Sequence, residues 1–134
     1  MKQIEVCCAL ISLNSENGPL LMAAKKGNHA SIAHLYEFPG GKLEPNESAK
    51  EAIVREIYEE THAHIIPLKQ LTPVFHKFPE KEIILIPIIC TLATDSPLPS
   101  PLEHEHLGFY TSNTLQSLPW APADRQILDE WLNT

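Results

Sequence analysis

The stretch of sequence that decides the fold covers residues 41–63 and reads GKLEPNESAKEAIVREIYEETHA. Residues 48–61 contain neither proline nor glycine, and Ser48 with Glu51 three residues later has the spacing of a capping box, which starts a helix. Apolar side chains recur there at helical spacing and form one stripe, made of Ile53, Val54 and Ile57. The stretch therefore predicts a helix that buries one face against a core.

Three glutamates of this predicted helix lie beside the apolar stripe. At 100° per residue, Glu56, Glu59 and Glu60 fall within an arc of about 100°. A solvated acidic face is the ordinary interpretation, since exposed like charges at helical spacing cost only a few tenths of a kcal/mol. Their position next to the stripe, downstream of Glu47 and of two adjacent glycines, instead favours a site for magnesium or manganese, which prefer oxygen ligands.

The segments on either side of this helix predict a sheet and a second helix. The predicted strands cover residues 4–13, 20–25, 68–78, 82–92 and 108–111, and the closing helix covers residues 123–132. Residues 27–33 predict a polar loop. Pro87 is expected at an edge or a bulge, because proline cannot donate to a ladder. Strands interleaved with two helices predict an α/β fold.

Length and charge exclude several functional classes. The chain has 134 residues, about one domain, with 17 acidic residues against 10 basic ones and a net charge of −7. Such an acidic protein has no electrostatic footprint for polymeric nucleic acid. The longest nearly apolar run, residues 83–93, is too short to span a bilayer. No membrane partner is therefore expected.

The cysteines indicate a reducing compartment. Cys7, Cys8 and Cys90 lie in apolar stretches without C-x-x-C spacing, where a free thiol behaves as a small hydrophobe. Glu5 interrupts the N-terminal apolar stretch, which argues against a secretory signal. We therefore expect a cytoplasmic protein.

The charged residues of the stretch resemble the signature of the Nudix family. Gly41, five residues, Glu47, seven residues and then REIYEE at residues 55–60 match the Nudix box G-x5-E-x7-R-E-U-x-E-E-x-G-U, in which U is apolar. The segment EFPGGKLE at residues 37–44 is similar to the MutT-like branch of that family. The resemblance implies an α/β/α sandwich with a mixed central sheet, formed by a single domain over residues 1–134.

The same resemblance implies a divalent metal site. Glu56, Glu59 and Glu60 would ligate Mg²⁺, for which Mn²⁺ can substitute, and the carbonyl of Gly40 would be a further ligand. Bound metal would neutralise phosphate charge and lower the pKa of a water molecule, which then attacks phosphorus.

Further box residues would support catalysis and substrate binding. Arg55 would hold a carboxylate in place, and its guanidinium suits a bidentate pair with Glu47 or Glu56. Lys42 would contact substrate phosphate, and Glu47 would belong to the same substrate-binding set.

A late loop would supply another acid. In much of the family a second glutamate comes from a loop near the end of the domain, and EHEHLGF at residues 103–109 stands at that place. Glu103 is the first choice and Glu105 the second, while a merely polar exposed loop is the alternative. The general base is then Glu56 or Glu103, between which the sequence does not choose.

The MutT-like resemblance implies a nucleotide substrate. It predicts hydrolysis of a nucleoside triphosphate to the monophosphate and pyrophosphate, with oxidised nucleotides such as 8-oxo-dGTP as one specific case. Asp124 would read the base, or would only cap the last helix. Further candidate substrate contacts are Lys26, His34 and Phe78.

Two other functions remain open at this stage. One is hydrolysis of another nucleoside diphosphate derivative, such as ADP-ribose, a nucleotide sugar or a dinucleotide. The other is a nucleotide-binding module without turnover, against which the intact acidic residues argue. The expected oligomeric state is a monomer or a homodimer.

One departure from the box concerns the end of the helix. His62 stands where the box has glycine. That glycine usually adopts a left-handed conformation, which histidine enters more readily than most residues. We expect a local destabilisation of about 1 kcal/mol and no effect on the acidic residues upstream.

Overall fold

The computed structural model describes residues 2–27 and 34–134. Within these ranges eight strands form one sheet and three helices flank it. The strands are β1 Lys2–Ser15, β2 Gly18–Lys25, β3 Tyr36–Glu37, β4 Gly40–Lys42, β5 Ile65–Gln70, β6 Val74–Lys77, β7 Lys81–Leu92 and β8 His106–Tyr110. The helices are α1 Ala49–Thr61, α2 Ser112–Ser117 and α3 Pro122–Leu132.

The sheet is mixed, as predicted. Its main order is β3-β2-β1-β7-β5. In addition, β4 pairs with β1, β6 pairs with β7 and β8 pairs with β2. The central pair β1–β7 is parallel, with Lys2 opposite Lys81 and Ser12 opposite Thr91. The other pairs are antiparallel.

Helices cover both faces of this sheet. Alternate residues of a strand point to opposite sides, and in β1 the residues on both sides are apolar and need to be buried. Cys7, Ala9 and Ile11 of β1 pack in one core cluster with apolar residues of α1. Cys8 and Leu10 pack in a second cluster with α2 and α3. The predicted α/β/α arrangement is therefore confirmed, and the three cysteines are buried free thiols.

The single strand predicted over residues 68–78 is wrong. Two strands, β5 and β6, pair with β7 at successive positions, and residues 71–73 separate them. Pro73 cannot donate a ladder bond, and the Leu71 N–H donates instead to the Pro87 carbonyl at 2.9 Å. The chain therefore leaves the ladder for three residues.

Of the two positions expected for Pro87, the edge is wrong, whereas a bulge-like irregularity does lie opposite it, because Gln70 pairs with Ile88 and Val74 with Leu85, which leaves one extra residue between β5 and β6. Pro87 lies inside β7, which pairs with β1 on one side and with β5 and β6 on the other. Its carbonyl faces Leu71, so the side on which proline lacks an N–H faces the gap at residues 71–73. The break between β5 and β6 thus accommodates proline in a central strand.

Three further points concern the predicted elements. Helix α2 was not predicted; it has six residues and is capped by the Thr111 side chain. Residues 28–33 of the predicted polar loop lie outside the described residues. In the part of the chain that is described, no helix is long and apolar enough to cross a membrane.

Candidate active site

Both ends of α1 are fixed by local hydrogen bonds and backbone geometry. The Ser48 hydroxyl accepts from the Glu51 N–H at 3.1 Å, and the Ser48 N–H donates to the Glu51 carboxylate at 2.9 Å, which confirms the capping box. His62 ends the helix in the left-handed region, with φ 61° and ψ 9°, as the missing box glycine predicted. The acidic residues of α1 are therefore held on a well-defined helix.

The acidic group consists of Glu47, Glu56, Glu59 and Glu60, and Arg55 binds the first three, which form its outer part. The Arg55 Nε and Nη2 donate to the two oxygens of Glu47 at 2.8 and 2.9 Å. Its Nη1 donates to Glu56 at 2.9 Å and to Glu59 at 2.7 Å. Of the two bidentate pairs considered, the structure therefore forms the one with Glu47, and the Arg55 guanidinium lowers the pKa of Glu47 to about 2.

The adjacent glycines let the β4 segment approach its neighbours closely. A Cβ atom on Gly41 would overlap the Glu56 carboxylate, and one on Gly40 would overlap the Cys7 carbonyl on β1. Lys42, at the exposed end of β4, offers its carbonyl to Arg55 Nη2 at 3.1 Å. The loop and the helix are thus joined through Arg55 and Glu56.

Glu60 occupies the inner part of the acidic group. It is 7% exposed, and its Oε2 has no hydrogen-bond partner among the described residues. Burial raises its pKa to about 9, and the negative charges of Glu103, Glu56 and Glu37 add to that effect. A bound cation would stabilise the charged form of such a buried carboxyl group.

The donor set fits a divalent cation. Residues 2–27 and 34–134 contain no three His, Cys, Asp or Glu side chains already arranged around a common metal position. Arg55 engages Glu56 and Glu59, while Glu60 retains an unpartnered buried oxygen. Hard oxygen donors that repel one another are the ligands a small divalent ion would satisfy. The assignment of Glu56, Glu59, Glu60 and the Gly40 carbonyl as ligands remains a prediction.

The two acids of the late loop face different partners. Glu105 lies 3.7 Å from Lys25 Nζ and 3.3 Å from His34 Nδ1. The negative charge of Glu103, in contrast, acts on Glu60 and helps to raise its pKa. Glu103 is therefore the acid of this loop whose charge reaches α1.

A cavity of about 360 Å³ opens beside β3 and the start of α3. Most of its lining is apolar, and Lys26, Glu37, His76 and Asp124 are its charged and titratable side chains apart from the Cys7 and Cys8 thiols. Of the predicted substrate contacts, Lys26, Phe78 and Asp124 line this cavity, whereas His34 is not among its lining residues. A cavity of this size and composition suits a nucleobase-sized ligand.

Asp124 does not cap the last helix, so that alternative is wrong. The N-cap of α3 is Ala121, whose methyl side chain has no acceptor and makes no cap bond, and Pro122 starts the helix, so that Asp124 lies within the first turn. The Asp124 Oδ1 instead accepts from the Phe38 N–H at 2.9 Å. Asp124 is 7% exposed, and burial raises its pKa to about 7.

Sequence reasoning missed two residues, Glu37 and His104. The His104 Nε2 lies 3.0 Å from Glu37 Oε2, and Lys26 Nζ lies 3.4 Å from Glu37 Oε1. His104 is buried, with 6% of its side chain exposed. The signal that distinguishes His104 is its burial, and the polar run EHEH at residues 103–106 does not reveal that burial.

Comparison with known proteins agrees with this fold. The NUDIX domain family matches residues 1–131. The chain is 31% identical over 84 residues to a Proteus vulgaris protein named 8-oxo-dGTP diphosphatase, which covers 63% of this chain and 72% of that protein. It is 45% identical over 60 residues to the Escherichia coli CTP pyrophosphohydrolase, covering 45% of this chain and 42% of that enzyme. The solution structure of the E. coli ORF135 protein superposes with a TM-score of 0.82 at 28% identity, covering 99% and 91% of the two chains.

Proposed function

This chain belongs to the NUDIX family and is a hydrolase acting on phosphoanhydride bonds, and on that premise we propose that it cleaves a nucleoside triphosphate to the monophosphate and pyrophosphate. The observation that carries this proposal is the adjacency of two features. Glu37, which lines the cavity, and Glu60 of α1 both lie against the His104 ring, with carboxylate oxygens 3.0 and 4.0 Å from its two nitrogens. A nucleotide can thus place its base in the cavity and its phosphates against α1.

The proposed reaction needs a divalent cation, Mg²⁺ or Mn²⁺. Glu56, Glu59, Glu60 and the Gly40 carbonyl would hold it, and when bound it supplies charge neutralisation at phosphate and a more acidic water. Arg55 orients Glu56 and Glu59 through its Nη1. Positioning and electrostatic stabilisation would then supply most of the rate enhancement.

Four residues complete the proposed mechanism. Glu103 is assigned as the general base rather than Glu56, because Arg55 already binds one oxygen of Glu56 at 2.9 Å while Glu103 extends from an exposed loop. Lys42 and Lys26 are the candidates for phosphate contacts. Glu47 acts through Arg55, which it binds with both oxygens.

The nucleobase is proposed to lie against Asp124 and Phe38. The names of the two relatives include one purine and one pyrimidine nucleotide, so both bases belong in the test. 8-oxo-dGTP is the leading specific candidate, because the relative of which the larger share is covered carries it in its name.

A substrate panel tests the proposal directly. The purified protein is incubated with Mg²⁺ and with the four common triphosphates, 8-oxo-dGTP, ADP-ribose, UDP-glucose and a dinucleoside polyphosphate, and the products are separated. We expect a triphosphate to give the highest kcat/KM, with monophosphate and pyrophosphate as products and no turnover in excess EDTA. A faster reaction with ADP-ribose, the sugar or the dinucleotide would replace this proposal. Nucleotide binding without any product would indicate a non-catalytic module.

A matched pair of variants locates the chemistry. Glu103→Gln is expected to reduce kcat while leaving the Mn²⁺ affinity of the protein, measured by electron paramagnetic resonance, nearly unchanged. Glu80→Gln changes the same chemical group in the exposed turn before β7 and serves as the control. If Glu56→Gln alone shows the selective loss of kcat, the base is Glu56.

A further inference from the structure

The His104 ring lies between two carboxyl groups that come from distant parts of the chain. Its Nε2 is 3.0 Å from Oε2 of Glu37, on β3, and its Nδ1 is 4.0 Å from Oε1 of Glu60, in the last turn of α1. The side chain is only 6% exposed, so the ring is enclosed by protein at this position. One buried ring therefore stands between the cavity and the acidic group.

The contact with Glu37 defines the roles of the two ring nitrogens. An ionised carboxylate only accepts, so the hydrogen of this bond belongs to His104 Nε2. The Nδ1 has no hydrogen-bond partner among the described residues and faces Glu60. Only the Nε2 edge thus makes a directed bond, and that bond goes to Glu37.

Glu37 is held at both of its oxygens. His104 Nε2 binds Oε2, and Lys26 Nζ lies 3.4 Å from Oε1. Glu37 and Lys26 both line the cavity, as do the neighbouring Phe38 and Asp124. A carboxylate fixed in this way presents its remaining lone pairs to the cavity in one direction, as a hydrogen-bond acceptor for an N–H group of a ligand.

We infer that His104 is a positioning residue for base selection, which acts by holding Glu37 in the cavity wall. This inference rests on the proposed function, because it takes the cavity as the nucleobase site. His104 contacts Glu37 and is not among the residues that line the cavity, so its effect on selection would pass through that one hydrogen bond.

Two substitutions separate the Nε2 bond from simple burial of the ring. His104→Gln places an amide nitrogen near the former Nε2 and keeps a donor for Glu37, whereas His104→Asn is too short to reach it. His106→Asn, in the same loop, removes an exposed histidine that contacts Tyr110 and serves as the matched control. Thermal melting of all three variants reports whether they fold.

The readout is binding of α,β-methylene analogues of ATP, GTP, CTP and UTP, which cannot be cleaved between the α and β phosphates, measured by calorimetry in the presence of Mg²⁺. We expect His104→Asn to change the ratio of Kd between the best and the worst analogue by about tenfold, since one charge-assisted hydrogen bond is lost. His104→Gln and His106→Asn should keep the wild-type order. A folded His104→Asn variant with the wild-type order overturns the inference.

A double-mutant cycle and a spectroscopic measurement add independent tests. Glu37→Gln should change the order in the same sense, and His104→Asn should then add little, since both act on one contact; additive effects overturn the inference. If His104→Asn does not fold, the ¹⁵N imidazole spectrum of the wild-type protein decides. Binding of the preferred analogue should shift the His104 Nε2 signal, and an unmoved signal overturns the inference.

The outcomes also distinguish this inference from the proposed function. Hydrolysis of triphosphates by the wild type, with an order of analogues that His104→Asn leaves intact, removes only the role of His104. A wild-type protein that neither binds these analogues nor hydrolyses any triphosphate removes the proposed function, and the inference with it.

Discussion

Glu47 and Glu60 lie at opposite ends of α1, and their surroundings shift the pKa values of their carboxyl groups in opposite directions. Glu47, before α1, receives two hydrogen bonds from Arg55, and its pKa falls to about 2. Glu60, in the last turn of α1, is buried with an unpartnered oxygen, and its pKa rises to about 9. The protein itself supplies the cation for the outer carboxylate. The inner carboxylate receives no hydrogen bond at Oε2 from the described residues, and a bound divalent cation would supply its counter-charge.

The largest expected effect comes from Glu60→Gln, which removes the inner carboxylate. We expect kcat to fall by about 100-fold or more, because an amide is a weak ligand for a hard cation. The melting temperature in EDTA should stay equal or rise, since a neutral amide needs no counter-charge. Calorimetric melting with and without Mg²⁺, beside steady-state kinetics, measures both. Full activity of this variant, or of the wild type in excess EDTA, would remove the contrast between the two carboxylates.

Arg55→Lys tests the outer carboxylate. A lysine is a single-point donor and cannot bind both oxygens of Glu47 while also reaching Glu56 and Glu59. We expect activity to fall by about 10- to 100-fold, with more Mg²⁺ needed for half-maximal rate. Arg125→Lys, which alters a surface pair with Asp129, is the control. Unchanged kinetics of Arg55→Lys would mean that the fork does not orient the acidic group.

Asp124→Asn extends the comparison to a second buried acid. Folding raises the pKa of Asp124 from 3.8 to about 7, so the folded state favours the protonated form. This group therefore lowers stability as pH rises from about 4 to about 7, and its contribution is constant outside that window. Asparagine removes the effect and keeps an acceptor for the Phe38 N–H. The variant should match the wild type near pH 4 and exceed it above pH 7 by at most about 4 kcal/mol.

Denaturant unfolding of both proteins across that pH range measures the difference. If the free energies of unfolding of the two proteins changed in parallel with pH, folding would not raise the pKa of Asp124. The same variant should alter kcat/KM ratios among triphosphates by about tenfold if Asp124 contacts the base. An unchanged order would leave the contact with Phe38 as its sole role.

His62→Gly has the smallest expected effect. Glycine adopts the left-handed conformation observed at φ 61° without penalty, so stability should rise by up to about 1 kcal/mol. Activity should stay nearly intact, because His62 follows the acidic residues and its ring packs 5.5 Å from that of Tyr58 on the exposed side. A large loss of activity would place His62 within the site.

Features that arise within a few residues were predictable from the sequence. The capping box spans three residues, the Arg55–Glu47 pair spans eight, and the left-handed turn at His62 depends on one position. The capping box follows from helical geometry, whereas the resemblance to a known family implied the left-handed residue at position 62 and a partner for Arg55 that was either Glu47 or Glu56. The mixed sheet followed from the alternation of strand and helix patterns, supported by the resemblance to a known family.

Features that join distant segments were not predictable. Asp124 and Phe38 are 86 residues apart, and His104 and Glu37 are 67 apart, so no periodicity relates them. The predicted cap role of Asp124 failed because Pro122 moved the start of α3 forward. The choice between an edge and a bulge for Pro87 stayed open, because the break between β5 and β6 that accommodates this proline is defined only by the tertiary structure.

The parallel pairing of β1 with β7 sets the order in which this protein can fold. β1 begins at Lys2 and its parallel partner β7 ends at Leu92, so the β1–β2 hairpin can form early, whereas the β1–β7 pair cannot be completed until residues up to 92 have been synthesised. At ribosomal rates that interval is roughly 5 to 20 seconds. The apolar run of β1 remains without its central partner throughout, and such long-range closure slows folding. We therefore expect formation of the β1–β7 pair, and not of the local helix α1, to limit the folding rate of this protein.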